Sequence, residues 1–466
     1  MVGGDVVVTY GFNVPCRRFL LTAHVTRDRR MPIADEFILR LLKLTDKLEA
    51  SRLGAFFGFT PIETATVLQD LQRKKHVVLA GDKVQLTAAA HEKFRTGQDG
   101  MPHILELETW VDRVWFDLIS RNITPNDRTR QVEHLINLMP SPDAKVLPTT
   151  FARAAFEQNF VEYLRRVRGY NNPDAVSLYA VSDVTADRYG TVVAYGAMDL
   201  QLAPEPRLNS RLLKVEVEDR ARYRALSDAM HDAVRRLTHP EPSQAGYADF
   251  RRLTADTTVS EHVQSAPHFS LAGWLSDPRT SATPHRTAIF GASYIERNLE
   301  AMQRAIKRNV VSRLQTAKPA RLELYWMRPV GTAWGASPDL PDFLKNLSGF
   351  VRHKLGTQLD VYSSLVAPPS ARDETRKRFR RLFDRGLVAP AGYLTTGTEV
   401  VYLIGVAALV LTQVRVEKAI EVPVGFVLTG EADLRRLEQA LKLDALGREA
   451  DTLWAPTSQE SPDEPT

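Results

Sequence analysis

One cysteine, Cys16, occurs in 466 residues. A single thiol excludes an internal disulfide and a zinc site built on several thiolates. Long apolar runs are scarce as well. The most apolar, VVYLIGVAALVL from Val400 to Leu411, has 12 residues. That is too short to cross a bilayer as a helix, and its β-branched content suits a buried strand. The opening MVGGDVVVTYGFNV has no basic region ahead of a long apolar core, so no secretory signal is expected. Neither a Gly-x-x-x-x-Gly-Lys-Ser/Thr loop nor a His-Glu-x-x-His motif is present. Charge of one sign is not abundant: 61 Lys and Arg face 56 Asp and Glu, a formal net charge of +5. These absences lead to the expectation of a cytoplasmic protein with no membrane partner, no cofactor and no bound metal. The mild positive charge permits nucleic-acid binding without requiring it.

What is present is an ordinary globular composition, 44% hydrophobic and 25% charged, on a chain long enough for several domains. Residues 5–26 suggest a strand or strand pair, and 101–120 alternate as a half-buried strand pair would. The proline-bearing stretch 122–150 suggests a linker around a short helix, followed by a helix at about 150–168. From about 175 to 430, strand patterns alternate with helix patterns, which implies a layered α/β domain with a mixed sheet. The expected divisions are an N-terminal strand segment (1–32), a helical module (33–97), a connector with a strand pair and helices (98–172), the α/β domain (173–445) and a disordered tail (446–466). The tail is acidic, polar and proline-containing. The fold class is therefore α/β, or α+β overall.

Residues 33–97 carry the most specific pattern. ADEFILRLLKL places Phe37, Leu41 and Leu44 on one helical face, and a second short helix stops at Gly58. Thr60, Pro61 and Glu63 form a capping box with proline at the first helical position. The helix they start buries Val67, Leu68 and Leu71 and exposes Glu63, Thr64, Thr66, Gln69 and Arg73. Gly81-Asp82 joins two strands, and Thr87 caps a further helix. Helix, helix, tight turn, helix, hairpin resembles the winged helix-turn-helix of bacterial regulators and accessory proteins. The resemblance implies that the third helix enters the major groove of DNA. Thr60, Thr64, Thr66, Gln69 and Arg73 would then face the bases, and Lys74, Lys75 and Lys83 the phosphates. Glu63 and Asp70 oppose this because each repels phosphate. A protein-contact role is the alternative.

Three basic segments could extend such a surface. RRFLLTAHVTRDRR has five arginines and one aspartate, and RAIKRNVVSR has four basic residues and no acid. SARDETRKRFRRLFDRG sets Arg372, Arg376, Lys377, Arg378, Arg380, Arg381 and Arg385 against Asp373, Glu374 and Asp384. In this last segment Arg376, Lys377, Arg380 and Arg381 are the phosphate-binding candidates.

Residues 397–441 read strand, turn at Gly405, strand, strand, helix. That order resembles the end of a phospholipase D superfamily repeat, as found in bacterial anti-phage defence proteins. Active members carry His-x-Lys, an Asp four residues on, then a Gly-Ser pair and an Asn. Here Thr398, Glu399 and Val400 fall on His-x-Lys, Ile404 on the Asp, and Thr412 and Val414 near the Ser and Asn. His91-Glu92-Lys93 is the one near match, with Asp99 too far along. The resemblance implies a domain that has lost its catalytic groups. The histidines at 231, 239, 262, 268 and 285 are scattered through what reads as a loop-rich stretch; the loops of 239–287 hold most of them and suit either a flexible recognition loop or a site. Asp183, Asp187 and Asp199 could converge on a sheet edge.

The resulting expectation is a non-catalytic, nucleic-acid-binding accessory protein of a bacterial anti-phage defence system, with DNA and other defence proteins as partners. The alternatives are a ligand-responsive winged-helix transcriptional regulator, and a nuclease or phosphodiesterase with an unrecognised site.

Overall fold

The structure is a computed structural model. It describes residues 5–94, 103–124, 131–141, 148–202, 206–213, 221, 223–264, 268–281, 285–313, 321–355, 360–395, 397–417 and 420–455. The fold is α/β with mixed sheets. The chain divides into two compact units, one of Cys16–Asp127 and Pro142–Tyr189, the other of Met1–Pro15, Arg128–Ser141 and Gly190–Thr466. The boundaries fall partly inside two 26-residue strands, Asp5–Arg30 and Val176–Gln201.

In the first unit, β1 (Asp5–Arg30) leads into α1 (Ile33–Thr45), β2 (Lys47–Glu49), α2 (Ala50–Phe57), α3 (Pro61–Arg73), β3 (Val77–Ala80), β4 (Lys83–Leu86) and α4 (Ala88–Lys93). The three short strands form an antiparallel sheet in the order β2-β4-β3. This is the helix–helix–helix–hairpin arrangement of a winged helix, and its local signals act as expected. Gly58 ends α2 in a left-handed conformation. The capping box starts α3, with the Thr60 amide donating to Glu63 at 2.8 Å. Thr87 caps α4. The α1 face is a correction. Asp35, Ile38, Leu39 and Leu42 are buried, whereas Phe37 and Leu44 are exposed. Both faces of FILRLLKL are apolar, so spacing alone could not choose between them. The buried side carries Asp35, which Lys74 pairs at 2.7 Å.

The expected pair at 101–120 is one strand, β5 (His103–Asp117), and 5–26 belong to the single strand β1. They run antiparallel from Cys16↔Asp117 to Arg30↔His103. Next come β6 (Ile123–Thr124), which pairs with β5, and β7 (Ile136–Asn137), which belongs to the second unit. No helix occurs in the described part of 122–147; residues 125–130 and 142–147 lie outside it. The single helix expected at 150–168 is two, α5 (Thr149–Gln158) and α6 (Phe160–Arg166), broken at Asn159. Phe156 and Tyr163 from this pair meet Phe19 and Phe116 of the sheet in one core.

β8 (Val176–Gln201) carries the chain back into the second unit. There follow β9 (Arg207–Leu212), α7 (Arg224–Arg235), α8 (Gln244–Thr254), α9 (Thr258–Gln264), α10 (Leu271–Ser276), α11 (Pro278–Ser281), β10 (Arg286–Phe290), α12 (Glu296–Arg313), β11 (Arg321–Met327), α13 (Asp339–Leu355), β12 (Asp360–Ala367), α14 (Arg372–Phe379), β13 (Arg385–Val388), β14 (Glu399–Leu403), β15 (Ala407–Glu417), β16 (Ile420–Leu428), α15 (Glu431–Leu441), α16 (Leu443–Glu449) and β17 (Asp451–Trp454). An eight-stranded sheet forms in the order β10-β16-β15-β14-β11-β12-β13-β17. Among its described residues, β11-β12 and β12-β13 pair in parallel and the other neighbours antiparallel. Along β14, Val401 and Leu403 join the core under α12 and α13, while Val400 and Tyr402 join the core under α8, α10 and α15. Burial on both faces explains the unbroken apolar run at 400–411.

Two further expectations change here. The described residues of the expected loop at 239–287 carry four helices, with Phe250 and Trp274 fully buried. The tail expected to be disordered from 446 contains the end of α16 and β17, which pairs antiparallel with β13. Residues 456–466 lie outside the described region. Among the described residues, no helix is long and apolar enough to cross a membrane.

Candidate nucleic-acid interfaces

The outward face of α3 presents Ile62, Thr66, Gln69 and Arg73, all exposed and spaced to share one side of the helix. Ile62 is 80% exposed. Thr64, expected on this face, is buried. Its side chain sits against Gly54 of α2, and its hydroxyl donates to the Thr60 carbonyl at 2.9 Å. A threonine so placed packs two helices together and reaches no base. Thr60 is occupied by the capping box, and the Thr66 hydroxyl donates to the Ile62 carbonyl at 2.8 Å.

The cations of the module differ in availability. Lys74 pairs with Asp35 at 2.7 Å and Asp70 at 2.5 Å. Its pKa is raised, first by the hydrogen bond to Asp35 and then by that to Asp70. Arg73 pairs with Asp70, yet its side chain remains 81% exposed. Lys75, in the left-handed turn after α3, and Lys83 on β4 are exposed. Asp70 thus neutralises part of the positive charge at this helix end.

The basic segment around α14 sorts into inward and outward groups. Arg378 turns in, donating to the carbonyls of Thr332 at 2.8 Å and His134 at 2.9 Å and pairing with Glu374. Arg372 pairs with Asp451 at 3.0 Å, and Arg385 donates to the Tyr325 hydroxyl at 3.0 Å. The other four turn outward. Arg376, Lys377 and Arg380 are exposed and have no ion pair among the described residues. Arg381 pairs with Glu133 at 3.1 Å while staying 61% exposed. With Asp373 and Glu133 these four line an open cleft of about 630 Å³. The buried Thr375 and Phe379 fix the helix so that positions 376, 377, 380 and 381 face out together.

The other two basic segments are largely committed elsewhere. Arg17 lies over the rings of Phe19 and Tyr189, Arg18 pairs with Asp187 at 2.5 Å, and Arg27 donates to the Tyr170 hydroxyl at 2.7 Å. Arg304 pairs with Glu300 at 3.5 Å. The side chains of residues 28–30 and 308–313 lie outside the described residues.

In the strand region after Gly397, Thr398 and Val400 are buried. The Thr398 hydroxyl bonds that of Thr395 at 2.9 Å. Thr412 and Val414 are buried strand residues of β15. Glu399 is a buried carboxyl whose surroundings its sequence context does not reveal. Its Oε1 accepts from Ser293 Oγ at 2.6 Å and from the indoles of Trp326 and Trp334 at 2.8 Å each. Burial raises its pKa against the lowering effect of those donors. Beside it, Arg328 is buried over the rings of Trp334 and Phe379, and burial holds its pKa down to about 10. Arg328 donates to the carbonyls of Pro329 and Gly331, tying down the start of the loop GTAWGAS at 331–337.

The three aspartates have separate partners. Asp183 accepts from Thr185, Asp187 from Arg18 and Asp199 from Arg211. His262 bonds Asp277 at 3.2 Å, and His231 and His239 are exposed. Phe269, next to His268, donates its amide to the Arg415 carbonyl of β15 at 2.8 Å, and the His285 carbonyl accepts from Thr429. Among the described residues, no three His, Cys, Asp or Glu side chains gather as a metal site.

No protein-family model and no curated protein sequence matches the chain. Among solved structures, one similar chain comes from "Structure of TrmBL2, an archaeal chromatin protein, shows a novel mode of DNA binding." It is 9% identical, with 55% of this chain and 76% of that chain covered, at a TM-score of 0.22.

Proposed function

We propose that the protein binds duplex DNA with little sequence preference, as a non-catalytic accessory protein. The observation that carries this reading is the outward group of Arg376, Lys377, Arg380 and Arg381, of which three lack ion pairs among the described residues. Exposed guanidinium groups side by side suit phosphate oxygens, and such contacts position a duplex without reading its sequence. The winged-helix module would add contacts through Gln69, Arg73, Lys75 and Lys83. Its outward face offers few groups that read base edges. A place in a bacterial anti-phage defence system, with partner proteins from it, is the finer form of the proposal. It rests on the resemblance of residues 397–441 to degenerate phospholipase D repeats.

The test compares wild type, the triple variant Arg376→Ala/Arg380→Ala/Arg381→Ala, and Gln69→Ala on two duplexes of unrelated sequence. The triple variant should lose affinity equally on both. Gln69→Ala should change neither the affinity nor the preference by more than about threefold, well below the 1–3 kcal/mol of a good base contact. A sequence preference abolished by Gln69→Ala would replace this reading with that of a sequence-specific regulator.

A further inference from the structure

A cavity of about 300 Å³ lies wholly within the second unit, at one edge of the eight-stranded sheet. Its lining comes from the segments just beyond the ends of β10 and β11 (Ala292, Tyr294, Trp334) and from the starts of β14 and β16 (Glu399, Glu421). β11 is antiparallel to β14, with Met327 opposite Val400, and β10 to β16, with Phe290 opposite Val424. These pairings place the carboxyl ends of β10 and β11 on the same edge, where open α/β sheets bind ligands.

The walls are mainly apolar, but three buried polar side chains in them have bonding capacity to spare. Tyr10 is 4% exposed, Glu399 3% and Gln413 6%. All three line this one cavity. Every hydrogen bond to Glu399 goes to Oε1, which leaves Oε2 without a protein partner among the described residues. Neither the Tyr10 hydroxyl nor the Gln413 amide has one there either. Buried polar groups are almost always satisfied, so three that converge on one space point to something that bonds them. Two exposed groups, Arg235 and His239, stand at the same cavity without an ion pair among the described residues.

We infer that this cavity binds a small planar ring compound carrying one acidic group, with the ring's polar edge on Glu399 Oε2, Gln413 and Tyr10 and the acidic group at Arg235 and His239. The rings of Tyr10, Tyr294 and Trp334 supply apolar and aromatic contact for the body. A carboxyl beside an amide suits a heterocycle edge that alternates donors and acceptors, because both side chains can donate or accept there. The volume lies at the small end of ligand pockets. A nucleoside monophosphate and an aromatic carboxylate both fit this chemistry.

Calorimetry on the full chain with AMP, GMP, CMP, UMP and salicylate as probes tests the inference and separates the two sources. At least one probe should bind. Glu399→Gln, which keeps an acceptor for Ser293 and both indoles, should weaken that probe about tenfold or more. Arg235→Ala, on an exposed position, should weaken it by a similar factor and leave the unfolding temperature unchanged. The Arg376→Ala/Arg380→Ala/Arg381→Ala variant should bind it as wild type does, which distinguishes the cavity from the DNA-facing cations. If no probe binds wild type, or if the bound probe is indifferent to both Glu399→Gln and Arg235→Ala, the inference is overturned.

Discussion

Single residues decide where chemistry can happen in this chain, and few announce it. Glu399 stands just ahead of the apolar run VVYLIG and reads as one polar residue at the start of a strand. Only the fold brings Ser293, Trp326 and Trp334, from three other segments, onto one of its oxygens. Thr64 is the opposite case. It reads as an outward helix residue, yet the absence of a side chain at Gly54 lets the two helices close over it. His134 illustrates a testable consequence of burial. It contacts the Ser337 carbonyl at 3.2 Å, and burial, aided by the Arg378 cation, depresses its pKa to about 4. An unfolded histidine titrates near 6.5. Above that value neither state binds the proton, and no penalty exists. As pH falls from about 6.5 to about 4 the unfolded state binds the proton first, so stability drops, by about 3 kcal/mol in all. His134→Gln should flatten that part of the stability–pH curve in urea titrations; an unchanged slope would show that His134 is accessible and titrates normally. On the proposed resemblance to phospholipase D repeats, Thr398 and Val400 would stand where a nucleophile and a cation are needed, so phosphodiester chemistry is expected to be absent. Cleavage of a phosphodiester substrate that co-purifies with the protein and vanishes in a single histidine variant would refute this.

Elements are legible in the sequence where a local signal marks both ends. The capping box of α3, the Gly58 stop, the Gly81-Asp82 turn and the Thr87 cap are all short-range chemistry, and they yield the helix and strand order of residues 33–94. The strand–helix alternation of 286–441 is legible for the same reason. Elements fail to show where burial depends on distant partners. The helices of 244–281 are short and mostly polar, and Tyr247, Phe250 and Leu253 only make sense against β15, β16 and α15. β17 is a four-residue strand in an acidic, polar stretch. It exists because Gly386 leaves room for the Trp454 ring, whose indole donates to the Phe383 carbonyl at 3.0 Å. Trp454→Ala should therefore destabilise the second unit by about 3–5 kcal/mol, the usual cost of emptying an aromatic site. Chemical denaturation checks it, and a midpoint equal to that of wild type would mean that the C-terminal strand contributes nothing to the fold.

At the scale of the whole molecule, a net charge of +5 is small, and what matters is where the cations are engaged. Arg18, Arg27, Arg328, Arg372, Arg378 and Arg385 are bound into ion pairs, carbonyls or rings. No sequence pattern separates Arg378 from Arg376, two residues away; only the packing of Thr375 and Phe379 does. In the proposed function, contact with DNA therefore falls to a minority of the basic residues. The most direct measurement is the affinity of the intact chain for a random-sequence duplex, taken from about 50 to 200 mM salt, the range over which counterion release acts strongly. A steep linear fall of log affinity with log salt is the predicted result. In the Arg376→Ala/Arg380→Ala/Arg381→Ala variant the slope should be smaller by about 3, roughly one unit for each phosphate that an arginine no longer neutralises. No detectable binding at about 50 mM salt, or a slope unchanged in the variant, would contradict it.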